Sequence, residues 1–158
     1  MGVSGSGKST LGRALAQRLG WDFIEGDDHH PADNVARMAA GQPLTDAHRQ
    51  PWLRRLNAVI AGHDAQGPGA VLACSALKQS HRRRLAEGIS RIRFAYLCGD
   101  PEVIRGRLAS RSGHFMPAEL LDSQVAALEP PEDAVLVPIH LATAQQIELT
   151  LDTLGLAP

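Results

Sequence analysis

The feature that most constrains the fold of this chain is the run GVSGSGKST at residues 2–10, which matches the pattern GxxxxGK[ST]. In such a run, small residues let backbone N–H groups curl around a phosphate, and the following helix points its positive end at the same anion. A helix with an apolar face is predicted for residues 8–19, directly after the run. The sequence therefore predicts a nucleotide site formed by Gly2, Val3, Ser4, Gly5, Ser6, Gly7, Lys8, Ser9 and Thr10.

Two side chains of this phosphate loop have distinct chemistry. Lys8 is expected to reach the β- and γ-phosphates of ATP, and Ser9 is expected to ligate Mg²⁺.

Helices and strands are predicted to alternate along the rest of the chain. Apolar runs indicate strands at 21–25, 70–74, 92–97 and 135–138. Helical periodicity and end signals indicate helices at 31–40, 46–65, 100–111, 118–128 and 144–154. The alternation predicts one α/β domain over residues 1–158, in three layers: a central parallel sheet with helices on both faces.

A phosphate loop normally follows a buried strand, yet only Met1 precedes it here. A parallel sheet without its central strand would leave ladder hydrogen bonds and apolar faces unpaired. We therefore expect the first strand to be missing from these residues, with Met1 an internal methionine or a start placed too far downstream.

Composition restricts the partners of this chain. The formal net charge is −1, which gives no electrostatic footprint for nucleic acid or for an anionic membrane. No signal peptide is expected, and the sequence has neither a run of transmembrane length nor a CxxC pair. A reducing, cytoplasmic setting is expected, and an anionic ligand must be held by local basic residues.

Two carboxylates, Glu25 and Asp27, lie at the end of the strand predicted at 21–25. In open α/β sheets, ligands bind at the carboxyl ends of strands. One carboxylate can hold a metal ion, and the other can accept a hydrogen bond from a substrate hydroxyl and take its proton late in transfer. The alternative is a solvated acidic turn. Zinc is not expected at His29 and His30, because adjacent side chains diverge.

Basic residues near loops are the remaining candidates. Arg49 and Lys78 can each hold a carboxylate or neutralise a phosphate, or can be ordinary surface residues. Arg107 and Arg111 lie one helical turn apart, before a Gly-containing loop. That layout is typical of a lid, here residues 107–117, that closes arginines over a triphosphate; the alternative is a solvated basic helix face.

Several further segments are more specific than the phosphate loop: GDDHHP at 26–31, PLTD at 43–46, CSALK at 74–78, YLCGD at 96–100, GHFMP at 113–117 and LLDSQVAALEPP at 120–131. With them, most of the chain resembles the gluconate kinases (gluconokinases), small P-loop kinases related to shikimate and adenylate kinases. The resemblance implies ATP-dependent phosphorylation of D-gluconate to 6-phospho-D-gluconate. It also implies a sheet in which the strand before the phosphate loop is central, and it suggests a homodimer.

The resemblance also implies roles for residues. Asp27 would lie against the hydroxyl that is phosphorylated, with Glu25 nearer the metal. Arg107 and Arg111 would close over ATP, and Lys8, Asp27 and Arg111 would be the catalytic residues. The gluconate pocket would be lined by Asp27, His30, Arg49, Lys78 and Gln124.

The chain departs from the family pattern at His81-Arg82, at Ala86 and at Ala47-His48, which puts secondary pocket contacts in doubt. Two other functions stay open. The acceptor can be another small hydroxy acid such as shikimate, or the chain can be a nucleotide switch, although it lacks NKxD and LSGGQ motifs.

Overall fold

The computed structural model describes residues 1–67, 69–109 and 120–156. Strands and helices alternate in these ranges, and one turn of 3-10 helix (Gly26–His29) follows the first strand. The strands are β1 (Asp22–Glu25), β2 (Ala70–Ala73), β3 (Ala95–Cys98) and β4 (Val135–Pro138). The helices are α1 (Lys8–Leu19), α2 (Ala32–Ala39), α3 (Asp46–Gln66), α4 (Gln79–Ala86), α5 (Pro101–Ala109), α6 (Leu120–Ala127) and α7 (Thr143–Leu154).

All of the strand pairing in the described ranges is parallel. β1 pairs with β2 from Asp22–Ala70 to Glu25–Ala73. β3 pairs with β4 from Ala95–Val135 to Cys98–Pro138. The predicted parallel sheet is therefore confirmed, in the form of two strand pairs.

The residues before the phosphate loop lie between these two pairs. The Leu97 amide donates to the Met1 carbonyl at 3.0 Å, and the Gly2 amide donates to the Ser75 carbonyl at 3.1 Å. Met1 thus lies beside β3, while Gly2 reaches the loop after β2. Among the residues that the structure describes, no strand lies between β2 and β3. A cavity of about 520 Å³ lies there, with apolar side chains such as Leu72, Leu85 and Phe94 in its lining.

Helices cover both faces, because alternate residues of a strand point to opposite sides of a sheet. Val71, Ala95 and Leu97 pack into a cluster with Leu11 and Leu15 of α1 and Leu151 of α7. Leu72 and Tyr96 pack into a second cluster with Trp52, Leu53 and Leu56 of α3 and Leu85 of α4. The three-layer arrangement predicted from the sequence is confirmed.

The strand predicted at 92–97 begins three residues later, at Ala95. Its partner β4 begins at Val135, whose amide donates to the Phe94 carbonyl, so no ladder exists for the preceding residues to join. Helix α4 was outside the predicted elements, because its buried residues are His81, Arg82 and Leu85, and two of these three are polar. No described helix is long and apolar enough to cross a membrane.

Candidate active site

The phosphate loop has a backbone that glycine alone adopts readily at three points. Gly2, Gly5 and Gly7 have φ of 142°, 80° and 104°. At Gly5, an added Cβ would lie 2.6 Å from Cγ of Leu108, so the loop packs closely against α5. These positions explain the glycine spacing, and α1 begins directly after Gly7.

Three features of the loop suit a phosphate. Oγ of Ser6 is buried and, within the described ranges, has no hydrogen-bond partner. Nζ of Lys8 donates to the Val3 carbonyl at 3.0 Å, so the ammonium group is folded back over the loop. Ser9 is the second residue of α1, at the end of the helix that attracts anions. An unpaired hydroxyl, an ammonium group and a helix N-terminus together fit the phosphates of a nucleotide.

Gln124 joins the phosphate loop to α6. Its Oε1 accepts a hydrogen bond from the Ser4 amide at 2.7 Å, and the side chain is buried. Gln124 also lines the pocket beside the loop, where the family resemblance placed it.

Replacing Gln124 by leucine is expected to raise the KM for ATP about tenfold, because the buried Ser4 amide would lose its acceptor and the loop would shift. Gln124→Glu keeps an oxygen at the same position and serves as the matched variant, with a smaller expected effect. Steady-state kinetics with varied ATP measure both. An unchanged KM in the leucine variant would show that the contact does not hold the loop.

One pocket collects six of the polar residues predicted from the sequence: Ser4, Lys8, Asp27, His30, Arg49 and Gln124. Asp27 and His30 follow β1, and Arg49 comes from the first turns of α3. Ser75, after β2, also lines the pocket. The lining therefore unites the phosphate loop with the carboxyl ends of β1 and β2, where the ligands of parallel sheets bind.

The turn that carries Asp27 is fixed from two sides. Nε1 of Trp52 donates to the Gly26 carbonyl at 2.7 Å. A Cβ added at Gly26 would lie 2.5 Å from the Ala73 carbonyl oxygen, so the turn lies tightly against β2. The His30 ring stacks on Trp52, with centroids 4.1 Å apart and planes at 14°. Both polar side chains of the turn are thus presented from a rigid support.

Burial and charge set the protonation of the pocket. The pKa of His30 is lowered to about 4, first by burial and then by the charge of Arg49, so the imidazole is neutral at pH 7. Burial also lowers the pKa of Arg49. The Arg49 guanidinium donates to the Leu44 carbonyl, which anchors it at the pocket wall.

Lys78 is not among the residues that line the pocket. Its Nζ pairs with Oδ2 of Asp46 at 2.8 Å, and Nε2 of His81 lies 3.2 Å from Oδ1 of the same carboxylate. The hydrogen bond from Lys78 is the largest cause of the lowered pKa of Asp46, and His81 contributes as well. His81, one of the departures from the family pattern, therefore belongs to the support of Lys78.

Glu25 and Arg107 do not line this pocket. The Glu25 carboxylate is 3.8 Å from the Arg13 guanidinium. Nη2 of Arg107 donates to the Ile139 carbonyl at 2.8 Å, after β4. Arg111 and the predicted lid tip at 113–115 fall outside the described residues. In the described part of the chain, no three His, Cys, Asp or Glu residues are grouped to hold a metal ion.

Sequence reasoning missed several residues of the pocket, among them Trp52, Ser75 and Ser123. Trp52 belongs to α3 and packs into the core, and its hydrogen bond to the Gly26 carbonyl leaves no signal in the sequence. Ser75 follows directly after the predicted strand at 70–74, and that position could have marked it as a pocket residue.

A glycine-rich phosphate loop set between parallel strands, next to a pocket with a carboxylate and a guanidinium, defines a P-loop phosphotransferase. A family model described as an AAA domain matches residues 1–131. The gluconokinase of Gluconobacter oxydans is 50% identical over 133 residues, which cover 84% of this chain and 75% of that protein.

Two solved structures are similar over nearly their whole length. A sugar kinase from Janibacter sp. has a TM-score of 0.93 at 43% identity, covering 100% of this chain and 93% of that one. A gluconokinase from Sinorhizobium meliloti has a TM-score of 0.87 at 40% identity, covering 98% and 89%. The chain belongs to the gluconokinase family.

Proposed function

We propose that this chain transfers the γ-phosphoryl group of ATP to the terminal hydroxyl of D-gluconate, giving 6-phospho-D-gluconate and ADP. The observation that supports this best is that Lys8 of the phosphate loop and Asp27 at the end of β1 line one pocket. A phosphoryl donor and an acceptor alcohol can therefore meet there. The gluconokinase family supplies the identity of the acceptor.

Asp27 accepts a hydrogen bond from the acceptor hydroxyl and takes its proton as the new P–O bond forms. The bond between the γ-phosphorus and its bridging oxygen breaks, and ADP leaves with the electron pair. Lys8 exchanges the Val3 carbonyl for phosphate oxygens and neutralises their growing charge. Arg107 and Arg111 close over the triphosphate, Arg111 being the catalytic one of the pair.

Ser9 would hold Mg²⁺ on the phosphates, with Glu25 nearby. When bound, the metal ion would neutralise part of the negative charge of the triphosphate.

The other end of the pocket recognises the sugar acid. His30 and Arg49 line it, and Gln124 forms part of its wall. Lys78 joins them in the proposed complex by leaving its pair with Asp46. With the carboxylate held at this end and the hydroxyl at Asp27, the length of the carbon chain decides which acids react.

Arg49→Ala is expected to raise the KM for gluconate about tenfold to a hundredfold while kcat changes little. The reason is that the gluconate carboxylate loses its hydrogen bond to a charged guanidinium group. Arg54→Ala, an exposed arginine on the same helix, is the matched control and should behave as the wild type. Initial rates with varied gluconate measure the effect. Unchanged gluconate kinetics in Arg49→Ala would remove this residue from the acceptor site.

The function is tested by ADP release with and without gluconate. Stimulation by gluconate, with 6-phosphogluconate as the product, is the expected result. Release stimulated instead by shikimate or another hydroxy acid would replace gluconate as the acceptor. ADP release without any acceptor requirement would contradict a kinase.

We further propose that residues 1–158 form one kinase domain with a lid at 107–117, and that the enzyme is a cytoplasmic homodimer. The near-neutral charge and the two scattered cysteines suit that compartment.

A further inference from the structure

Asn34 is a buried amide with two contacts that together fix its orientation. Its Nδ2 donates to the His48 carbonyl at 2.8 Å and lies 3.4 Å from Nδ1 of His30. A carbonyl can accept but not donate, so the amide atom facing His48 must be the nitrogen. The second hydrogen of that nitrogen is the one directed at His30.

The orientation of Asn34 decides which nitrogen of His30 carries a proton. Nδ1 faces an N–H donor and must be unprotonated to accept from it. The ring is also neutral at pH 7, since burial and Arg49 lower the pKa of His30. A neutral imidazole has one proton, which leaves it on Nε2. Within the part of the chain that the structure describes, Nε2 has no hydrogen-bond partner in the protein. It is also not one of the fully buried side-chain atoms that lack such a partner.

We propose that Asn34 is a positioning residue that holds His30 in its Nε2–H tautomer, so that His30 donates a hydrogen bond to an oxygen of the bound acceptor. The donation to a sugar acid rests on the proposed function. The tautomer itself does not, because it follows from contacts present without any ligand.

The surroundings favour a donor at this place. His30 lines the pocket together with Arg49, which is a donor only, and with Lys8. Asp27 is the carboxylate among the lining residues. Two donors at one end suit carboxylate and hydroxyl oxygens, whereas a histidine that accepted there would repel a carboxylate. Stacking on Trp52 fixes the plane of the ring, and the contact between Nδ1 and Asn34 fixes which edge faces the pocket.

The tautomer is tested by ¹⁵N NMR of the ligand-free protein at pH 7, with the His30 signals assigned by their loss in His30→Gln. We expect a protonated Nε2 and an unprotonated Nδ1. In Asn34→Asp, a carboxylate replaces the donor, and the proton is expected to appear on Nδ1. An Nδ1–H tautomer or an imidazolium in the wild type would overturn the proposal, whether or not the aspartate variant folds.

The donation is tested by a pair of substitutions at His30. Glutamine can place an N–H near the position of Nε2, whereas asparagine is too short to reach it. We expect His30→Gln to keep the KM for gluconate within a few fold and His30→Asn to raise it about tenfold or more, with smaller effects on kcat. His29→Gln is the control, because that neighbour does not line the pocket. Equal KM values in the glutamine and asparagine variants would overturn the proposed hydrogen bond.

These two experiments separate this inference from the proposed function. If gluconate were not the acceptor, the wild type would release no ADP with it, yet the NMR result would still decide the tautomer. If gluconate is phosphorylated and the tautomer is Nδ1–H, the proposed function stands and the inference about Asn34 is wrong.

Discussion

Lys8→Ala is expected to lose about 10³-fold in kcat/KM, whatever acceptor is offered, because no other residue of the described pocket brings an ammonium group to the phosphate loop. In the present structure, Nζ of Lys8 already lies over the loop, on the Val3 carbonyl. Its charge is therefore placed for phosphate oxygens before the nucleotide arrives. The assay is ADP release coupled to a second enzyme, with saturating gluconate and varied ATP.

The control for this change is Arg18→Ala, which removes one positive charge from the exposed last turn of the same helix. That variant should keep the activity of the wild type, and circular dichroism should show both variants folded. A folded Lys8→Ala protein that retained a tenth of the wild-type kcat/KM would contradict the role given to this lysine.

Asp27→Asn is expected to lower kcat about 10²- to 10⁴-fold while the affinity for ATP stays close to that of the wild type. The amide keeps the shape of the side chain but cannot take the proton of the acceptor hydroxyl. Since Trp52 and β2 fix the turn through Gly26, the substitution should not displace the backbone. Kinetics at saturating ATP and gluconate measure kcat, and calorimetric titration measures nucleotide binding.

Asp28→Asn is the matched control, because it makes the same chemical change in the next residue, whose side chain is exposed. Near-wild-type turnover in Asp28→Asn together with a large loss in Asp27→Asn is the expected pattern. Comparable turnover in both variants would remove Asp27 from the proton transfer.

Much of the fold could be predicted because its signals are local. The phosphate loop, the apolar face of α1 and the continuous apolar run at β2 each indicate their element without reference to the rest of the chain. Helix α4 lacks such a signal. His81 is buried because it contacts Asp46, and Arg82 is buried because it donates to the Ala76 and Leu77 carbonyls. Tertiary contacts of this kind override the rule that buried residues are apolar.

The candidate site likewise contains residues that the sequence predicts and contacts that it does not. Lys8, Asp27, His30, Arg49 and Gln124 were expected from motifs and from the family resemblance, and the structure brings them to one pocket. Lys78 lies instead against Asp46, a partner distant in sequence that no local pattern reveals. The tautomer of His30 depends on an amide that also contacts the carbonyl of His48 on α3. Contacts between separate elements can be found only once the chain is folded.

The arrangement of the strands in two pairs bears on how the reacting groups are held apart. The acceptor side of the site, with Asp27 and His30, is built on the pair β1–β2, whereas Arg107 is tied to the end of the pair β3–β4. In the described ranges, Met1 bonds to β3, Gly2 bonds to the loop after β2, and the Glu129 amide donates to the Leu77 carbonyl between the two halves. These bonds therefore fix the distance between the acceptor alcohol and the nucleotide, on which the rate of phosphoryl transfer depends.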